Sequence, residues 1–383
     1  MALFHEIRLT SWAIGLSVGA GIYALIGDIA KVSGNRAPLM FAIASLVMLL
    51  NGYVLGGIVR RYPRAGSILA IVKETTHPWV ATAFEFLRLV EGGLALCVTA
   101  KLTVKFAYAL AFGLVAVPPS VGAEATFLVA VAFLVHKGLD TAMDLGNVGT
   151  FVEVGGLVLV IGAAVILAPA PSTAVPADLG LRDATRSITQ IVFAFGGIQG
   201  VLDMAGDVQD AETVLPRVVM LAVGITGLLY TSVCSAALSM VGVESLAARS
   251  VSPLGMVLEK VGFPGGTEQM LAFVSLVSVG NTCMGIFTFV SRIALSLACH
   301  VKGDSKVWPP AIYMGMVFVG AIVGHFGDVF ALAGRVGIML LVTFVVVDYA
   351  FLAAVASSPL EKVMGMLALL ASCGLVVVDQ CLY

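Results

Sequence analysis

The chemistry that this sequence offers lies in two clusters of glycine within long apolar stretches. The first cluster contains Gly15, Gly19, Gly21 and Gly27, and the second contains Gly196, Gly197, Gly200 and Gly206. A glycine in a helix costs about 1 kcal/mol relative to alanine, so clustered glycines favour local unwinding. Unwound backbone exposes N–H and C=O groups, which an apolar medium tolerates only beside a cavity or a bound polar ligand. Both clusters therefore predict binding groups made of main chain.

The same glycines could instead serve close packing between helices, as in a GxxxG pair. Gly52 with Gly56, and Gly155 with Gly156, fit that role. Two clusters at corresponding positions of two halves of a chain favour the other interpretation, because discontinuous helices at matching positions form the central site of many transporters.

Charged side chains also interrupt one apolar stretch, between residues 78 and 112. They are Glu85, Arg88, Glu91, Lys101 and Lys105. The first three recur every three residues and share one helical face. Charges at membrane depth face a cavity, each other or a partner. Three interpretations follow: an internal ladder of ions, a cavity wall that contacts a substrate, or a docking face for another subunit.

No motif indicates an enzyme. Gly15-Leu-Ser-Val-Gly19 fits the GxSxG pattern of a hydrolase, but that motif needs a preceding strand and an Asp/His pair, whereas here it lies inside an apolar run. The six cysteines form no CxxC pair, so they suggest neither a disulfide framework nor a zinc site. We expect no catalytic residue, no cofactor and no metal site.

The elements that carry these residues are predicted to be membrane-spanning helices. Of the 383 residues, 60% are hydrophobic and 11% are charged, whereas soluble domains are about one quarter charged. A helix needs about 20 apolar residues to cross a bilayer. Uncharged runs of that length lie at 9–27, 37–59, 218–243 and 269–291. A β-barrel would show short alternating segments instead.

The apolar pattern predicts eleven spans. They lie near 10–30, 37–59, 78–112, 121–137, 148–169, 186–208, 215–241, 268–299, 307–325, 329–356 and 360–378. Lysine and arginine are more frequent in the loops that share a side with the N-terminus, which predicts a cytoplasmic N-terminus. The net charge of −2 implies no nucleic-acid partner.

Four segments resemble the amino acid permeases of the amino acid–polyamine–organocation superfamily. Residues 16–27 are similar to the family's broken first span, and residues 61–67 are similar to the "RFPRAGG" that follows its second span. Residues 193–217 are similar to the sixth span and the loop after it. Asn281 with Ser291 and Arg292 is similar to the end of the eighth span. The resemblance runs from about residue 3 to about residue 356. Together, four motifs in the family's order are fairly specific.

The resemblance implies an all-α membrane fold with two five-helix inverted repeats, about 10–169 and 186–356, in a permease core of residues 1–356. Residues 357–383 would add one C-terminal helix. It also implies a substrate held at the broken first and sixth helices. The candidate residues are Gly19, Ala20, Gly21, Ile22, Phe193, Ala194, Phe195, Gly196 and Gly197. Amides at the first break favour a carboxylate, and carbonyls at the second favour an ammonium. Phe193 matches an aromatic gate, or serves ordinary packing.

The sequence also departs from the family pattern. The eleven predicted spans are one fewer than the twelve usual in the family, and Gly56-Gly57 stand where the family has an acidic residue. Glu153 stands where many members carry a lysine that replaces a sodium ion. Burial disfavours a charged carboxyl, so a buried Glu153 would bind and release a proton. Alternatively, the fifth span starts late and Glu153 is charged and inert near the surface.

Two function classes follow. The first is a secondary transporter of amino acids or related amines, coupled to a proton or a sodium ion. The second is a degenerate permease fold that serves as a structural subunit of a larger membrane complex. The intact glycine breaks favour the first class, and the missing span, altered loops and charged third span favour the second. Both classes imply an integral membrane protein surrounded by lipid.

Overall fold

The computed structural model describes residues 2–63, 66–112, 120–167, 179–248, 253–260, 266–302 and 309–381. All regular secondary structure in these ranges is helical. The helices of the first half are α1 Ala2–Ser17, α2 Ala20–Tyr23, α3 Ile26–Ser33, α4 Ala37–Arg61, α5 Ser67–Thr75, α6 Pro78–Phe112, α7 Val121–His136 and α8 Leu139–Leu167. Those of the second half are α9 Leu181–Ala194, α10 Ile198–Leu202, α11 Ala211–Ala248, α12 Gly255–Lys260, α13 Thr267–Lys302, α14 Pro309–Phe326, α15 Val329–Ala354 and α16 Pro359–Cys381.

Eight helical stretches in the described ranges are long and apolar enough to cross a membrane, and α7 is a shorter apolar helix. The broken units α1–α3 and α9–α10 are the interrupted first and sixth helices. In α1–α3 the break precedes Ala20, and in α9–α10 it follows Ala194. The prediction of an all-α membrane protein with interrupted first and sixth helices is therefore confirmed.

Large apolar side chains cover the outside of the bundle. Phe151 on α8, Phe318 on α14 and Leu370 on α16 are each more exposed than buried. Such a surface is unfavourable in water but matches the hydrocarbon of a bilayer. The prediction of an integral membrane protein is confirmed by this surface together with the apolar helices.

The two broken units lie among the other helices. The helix α11 packs along α4, α13 packs along α6, and α15 packs against α16. Tyr230 on α11 contacts the ring of Phe41 on α4 at 5.8 Å and the ring of Phe195 after α9 at 5.4 Å. This aromatic cluster holds the second break against the centre of the bundle.

One described helix was not predicted. The polar interruption between the second and third spans contains α5, Ser67–Thr75. It begins after Gly66, whose φ of 74° is in the left-handed region that glycine adopts without strain. We call the side of the bundle where α1 begins and α4 ends the N-terminal side, and α5 lies there.

Candidate functional site

The first break separates α1, which ends at Ser17, from α2, which begins at Ala20. Its carbonyl oxygens accept hydrogen bonds from side chains of other helices. The Tyr230 hydroxyl donates to the Ser17 oxygen at 2.6 Å, and the Ser278 hydroxyl donates to the Val18 oxygen at 3.2 Å. Thr282 lies 3.2 Å from the same Val18 oxygen and 3.3 Å from that of Gly15. Side chains from α11 and α13 therefore stabilise the broken backbone.

The amide groups beyond this break begin a new helix. Because α2 starts at Ala20, its first amides have no acceptor one turn earlier in a continuous helix. The amide of Tyr23 donates to the carbonyl of Gly19 at 3.2 Å. The candidate residues Ala20, Gly21 and Ile22 thus lie in α2, and Gly19 directly precedes it.

The second break occupies residues 195–197, between α9 and α10. Its own backbone closes successive turns: Phe195 donates to the Val192 carbonyl at 3.0 Å, Gly196 to that of Phe193 at 3.0 Å and Ile198 to that of Phe195 at 3.1 Å. A carbonyl oxygen has two lone pairs, so these turns leave acceptor capacity at Phe193 and Phe195.

The two breaks meet at one small cavity. A methyl group on Gly21 would lie 2.0 Å from Cβ of Ala194, so only glycine permits this approach. The candidate residues that line the cavity are Gly21, Phe193, Ala194, Gly196 and Gly197. Its volume of about 20 Å³ accommodates about one water molecule. The central site is therefore closed in this conformation.

The remaining candidates lie beside the cavity instead of in its wall. Ile22 is fully buried, and the Phe195 ring packs on Tyr230. Ala20 begins α2, and Gly19 directly precedes it. What these two residues present beside the cavity is backbone.

Three polar residues of the cavity wall were not among the sequence candidates. Glu91 on α6 is the charged one, and Ser17 on α1 and Thr282 on α13 are neutral. Glu91 is 5% exposed and accepts a hydrogen bond from the Thr343 hydroxyl at 3.0 Å. The position of Glu91 in an apolar span was noted, but its orientation depends on tertiary packing that sequence spacing does not give.

The other charges of α6 also face the interior. Arg88 forms a two-pronged ion pair with Asp203, at 3.1 Å and 2.6 Å, and both side chains are almost completely buried. Ser296 donates to Glu85 at 2.9 Å. Further along α6, the Lys101 ammonium donates to the carbonyl oxygens of His325 and Gly327. These contacts favour an internal ladder and a cavity wall over a docking face.

Glu153, the candidate coupling residue, is fully buried on α8. The Tyr23 hydroxyl donates to its backbone carbonyl. A methyl group on Gly15 would lie 2.9 Å from Glu153 Oε1, 2.5 Å from Asn281 Nδ2 and 2.0 Å from Thr150 Oγ1, so these polar groups converge at the glycine. The alternative that Glu153 lies near the surface is therefore wrong.

The Glu153 carboxyl lies among the polar side chains of Thr150, Ser278 and Asn281. Asn281 donates to the Gly146 carbonyl at 3.2 Å, and Ser278 and Thr282 donate to the carbonyls of the first break. The group of oxygen atoms around Glu153 could hold a proton or a small monovalent cation, since hard cations prefer oxygen ligands.

Comparison with known proteins finds similarity to permeases and other transporters. A model of the amino acid permease family matches residues 170–302, which include the second break. The low-affinity putrescine importer PlaP of Escherichia coli is 22% identical over 55% of this chain and 47% of its own length. The branched-chain amino acid permease BcaP of Bacillus subtilis is 22% identical over 89% of this chain and 78% of its own length.

An uncharacterized transporter of Mycobacterium tuberculosis is 25% identical over 74% of this chain. The chain spans 63% of that relative's length.

Proposed function

We propose, from the confirmed relationship to the permeases of the amino acid–polyamine–organocation superfamily, that this chain is a secondary transporter of amino acids or related amines that works by alternating access. The observation that carries the proposal is the meeting of two helix breaks at one cavity, where Gly21 lies against Ala194. The names of the relatives, a putrescine importer and a branched-chain amino acid permease, support this range of substrates.

In the proposed complex, the substrate carboxylate binds the amides of Gly19, Ala20, Gly21 and Ile22, because the N-terminus of a half-helix favours negative charge. The ammonium binds carbonyl oxygens between Phe193 and Gly197, with Glu91 as a nearby carboxylate. The Phe193 ring lies in the wall of the cavity and covers the substrate. An amine without a carboxylate would use only the second set of contacts.

Substrate entry requires the breaks to separate. The closed cavity of about 20 Å³ is too small for an amino acid. Because Gly21 contacts Ala194 directly, a small rotation of either half-helix enlarges the space between them. Alternating access then consists of opening this space toward one side of the membrane at a time.

The inverted repeats, about 10–169 and 186–356, are part of the same proposal. They are supported by the two broken units, each of which stands first among five spans. The permease core of residues 1–356 would then be followed by α16 as an additional helix.

We also propose that Glu153 couples transport to a proton. Its carboxyl is fully buried, and the polar side chains around it, those of Thr150, Ser278 and Asn281, are neutral, which is unfavourable for a permanent negative charge. The first break, whose Val18 carbonyl is held by Ser278 and Thr282, lies next to this carboxyl. Opening of the break would admit water, and the proton could leave.

Glu153→Gln tests the coupling. The glutamine side chain has the same shape but binds no proton, so uptake by the variant in proteoliposomes should no longer depend on a pH gradient. Exchange of substrate for substrate should persist, because it needs no net proton movement. Glu212→Gln, at an exposed position on α11, is the matched control and should behave as the parent. Uptake by Glu153→Gln that still follows the pH gradient, or that follows a sodium gradient in both proteins, excludes proton coupling through Glu153.

The alternative function, a structural subunit of a membrane complex, loses one of its supports. Glu85, Arg88 and Glu91, three of the five α6 charges that could have formed a docking face, are buried. Uptake of radiolabelled L-amino acids and putrescine by proteoliposomes under pH and sodium gradients decides between the functions. Saturable uptake supports the transporter, and its absence for the whole panel under every gradient supports the subunit.

The orientation is a further part of the proposal: the N-terminal side faces the cytoplasm. Lys73→Cys on α5 and Gln269→Cys on α13, both at exposed positions, test this orientation in a Cys381→Ser background. In intact cells an impermeant maleimide should label position 269 and spare position 73. Labelling of both, or of position 73 alone, contradicts this orientation.

A further inference from the structure

A second cavity lies next to the central one, on the N-terminal side of the bundle. Its volume is about 280 Å³, against about 20 Å³ for the central cavity. That volume is close to the lower end of the range for small-molecule pockets. We call it the vestibule. In the closed conformation the vestibule, unlike the central cavity, therefore has room for an amino acid.

The ion pair between Arg88 and Asp203 contributes to the wall of the vestibule. Glu91, three residues further along α6, contributes to the wall of the central cavity. Three residues of helix rise about 4.5 Å. The two cavities are therefore neighbours, and a substrate that leaves the central cavity on this side passes the ion pair.

The vestibule wall combines charges of both signs. Glu85 and Asp203 are acidic, and Arg88 and Arg292 are basic. Arg88 and Asp203 neutralise each other through two hydrogen bonds. The hydrogen bond of Arg292 to Asp207, at 2.6 Å, uses only its Nη1 atom, so the rest of the guanidinium keeps donor capacity.

Glu85 and Arg292 line the same cavity from two helices. Glu85 on α6 accepts a hydrogen bond from Ser296, and Ser296 follows Arg292 by one helical turn on α13. A carboxylate and a guanidinium in the wall of one cavity can bind the α-ammonium and the α-carboxylate of one amino acid, with the charge-assisted bonds that such pairs form.

The rest of the wall suits an apolar side chain. Leu69 on α5, Phe84 on α6 and Ile293 on α13 complete the vestibule. The surface that the three residues offer is large relative to a small aliphatic group. A diamine, in contrast, has no carboxylate to bind Arg292.

We propose that the vestibule is a second, weaker binding site for a zwitterionic amino acid with an apolar side chain. The ammonium binds Glu85, the carboxylate binds Arg292 and the side chain contacts Leu69, Phe84 and Ile293. This inference rests on the proposed transport function and deepens it, because it selects amino acids over diamines on this side of the membrane. Affinity is lower than at the central site because the vestibule is open to water and offers no unwound backbone.

Equilibrium binding of tritiated L-leucine to the purified full chain in lipid nanodiscs tests the proposal. The parent should bind two molecules per chain, with dissociation constants that differ at least tenfold. Arg292→Gln removes the carboxylate contact, and Leu69→Trp fills the vestibule without changing a charge. Both variants should lose the weaker component and keep the tighter one. Arg335→Gln, at an exposed position on α15, is the matched control and should keep both.

Putrescine serves as the contrasting probe. Its binding should be the same in the parent, in Arg292→Gln and in Leu69→Trp. One leucine per chain in the parent, or two per chain in both variants, overturns the vestibule site. Uptake of L-leucine in proteoliposomes, measured with the same preparation, separates the two proposals. If the chain takes up leucine but binds only one leucine per chain, the vestibule site is wrong and the transport function stands. If neither uptake nor binding is found for any probe, both the vestibule site and the transport function are wrong.

Discussion

The two helix breaks at the centre of the bundle are stabilised by different groups. At the first break, hydroxyl groups of Tyr230, Ser278 and Thr282 donate to carbonyl oxygens of Ser17 and Val18. These donors belong to α11 and α13, far from the break in sequence. Because a buried carbonyl without a partner is costly, the first break keeps its form only while those helices stay in place.

The second break is largely self-contained. The backbone groups of its residues 195–197 pair with those of the adjacent residues 192–193 and 198–200. The main side-chain contact there, between the rings of Phe195 and Tyr230, is apolar and has no fixed hydrogen-bond geometry. We infer that the second half-helix can change its angle while its hydrogen bonds persist, whereas the first moves together with α11 and α13.

The largest expected effect comes from Gly21→Leu, at the contact between the breaks. A methyl group there already approaches Cβ of Ala194 to 2.0 Å, so leucine would force the half-helices apart. We expect complete loss of uptake and of substrate-induced thermal stabilisation. The close contact also predicts a measurable decrease in the unfolding temperature.

Gly155→Leu is the matched control for that experiment. Gly155 is exposed on α8, and a Cβ there would meet open space. The control should retain uptake and the unfolding temperature of the parent. Unchanged substrate affinity in Gly21→Leu would remove the central site from the first break.

A smaller effect is expected from Tyr230→Phe, which removes one external donor of the first break. The Ser17 carbonyl would lose a hydrogen bond of 2.6 Å in a buried environment. Interhelical hydrogen bonds in membranes contribute about 0.6 kcal/mol on average and at most about 1.7 kcal/mol. We expect a decrease in the unfolding temperature by a few degrees, with aromatic packing retained.

Tyr349→Phe provides the reference for this comparison, because Tyr349 is exposed on α15. Its unfolding temperature should equal that of the parent. If Tyr230→Phe is equally stable, the first break does not depend on its external donors, and the contrast between the breaks fails.

The parts of this molecule that the sequence predicted are the local ones. The breaks near Gly19 and Gly196 follow from clustered glycine, whose effect on a helix does not depend on distant residues. The spans follow from uninterrupted apolar runs of a length that the bilayer fixes. The short helix α5 was missed because its apolar run, residues 68–72, is far shorter than a membrane span and is flanked by charged residues.

The parts that could not be predicted depend on contacts between distant segments. Glu91 was noted as a charge, but its place in the cavity wall is set by how α6 packs against α13 and α15. Tyr230 carried no signal, because a tyrosine in an apolar helix is common and its partner is 213 residues away. The burial of Glu153 was one of two open alternatives until the neighbours of α8 were known.

The smallest effect, and the sharpest test of the comparison, is expected from Gly196→Ala in the second break. A Cβ at this position would lie 3.2 Å from the Phe193 carbonyl oxygen and 3.5 Å from Leu340, a tight but tolerable fit. Replacement of glycine by alanine also reduces the entropy of the unfolded chain, which stabilises by about 0.4–1 kcal/mol where the conformation permits it. The two contributions nearly cancel, so the unfolding temperature should change little.

Gly15→Ala is the matched substitution beside the first break, where the same methyl group would lie 2.0 Å from Thr150 Oγ1 and 2.5 Å from Asn281 Nδ2. There the added atom displaces the polar groups around Glu153, so we expect a clear loss of stability and of uptake. The ratio of the two effects, measured by thermal unfolding and by initial uptake rate, reports how much each break depends on its surroundings. Equal losses in Gly196→Ala and Gly15→Ala would show that the second break is held as rigidly as the first. A loss in Gly15→Ala alone would support a fixed first break and a second half-helix free to change its angle during transport.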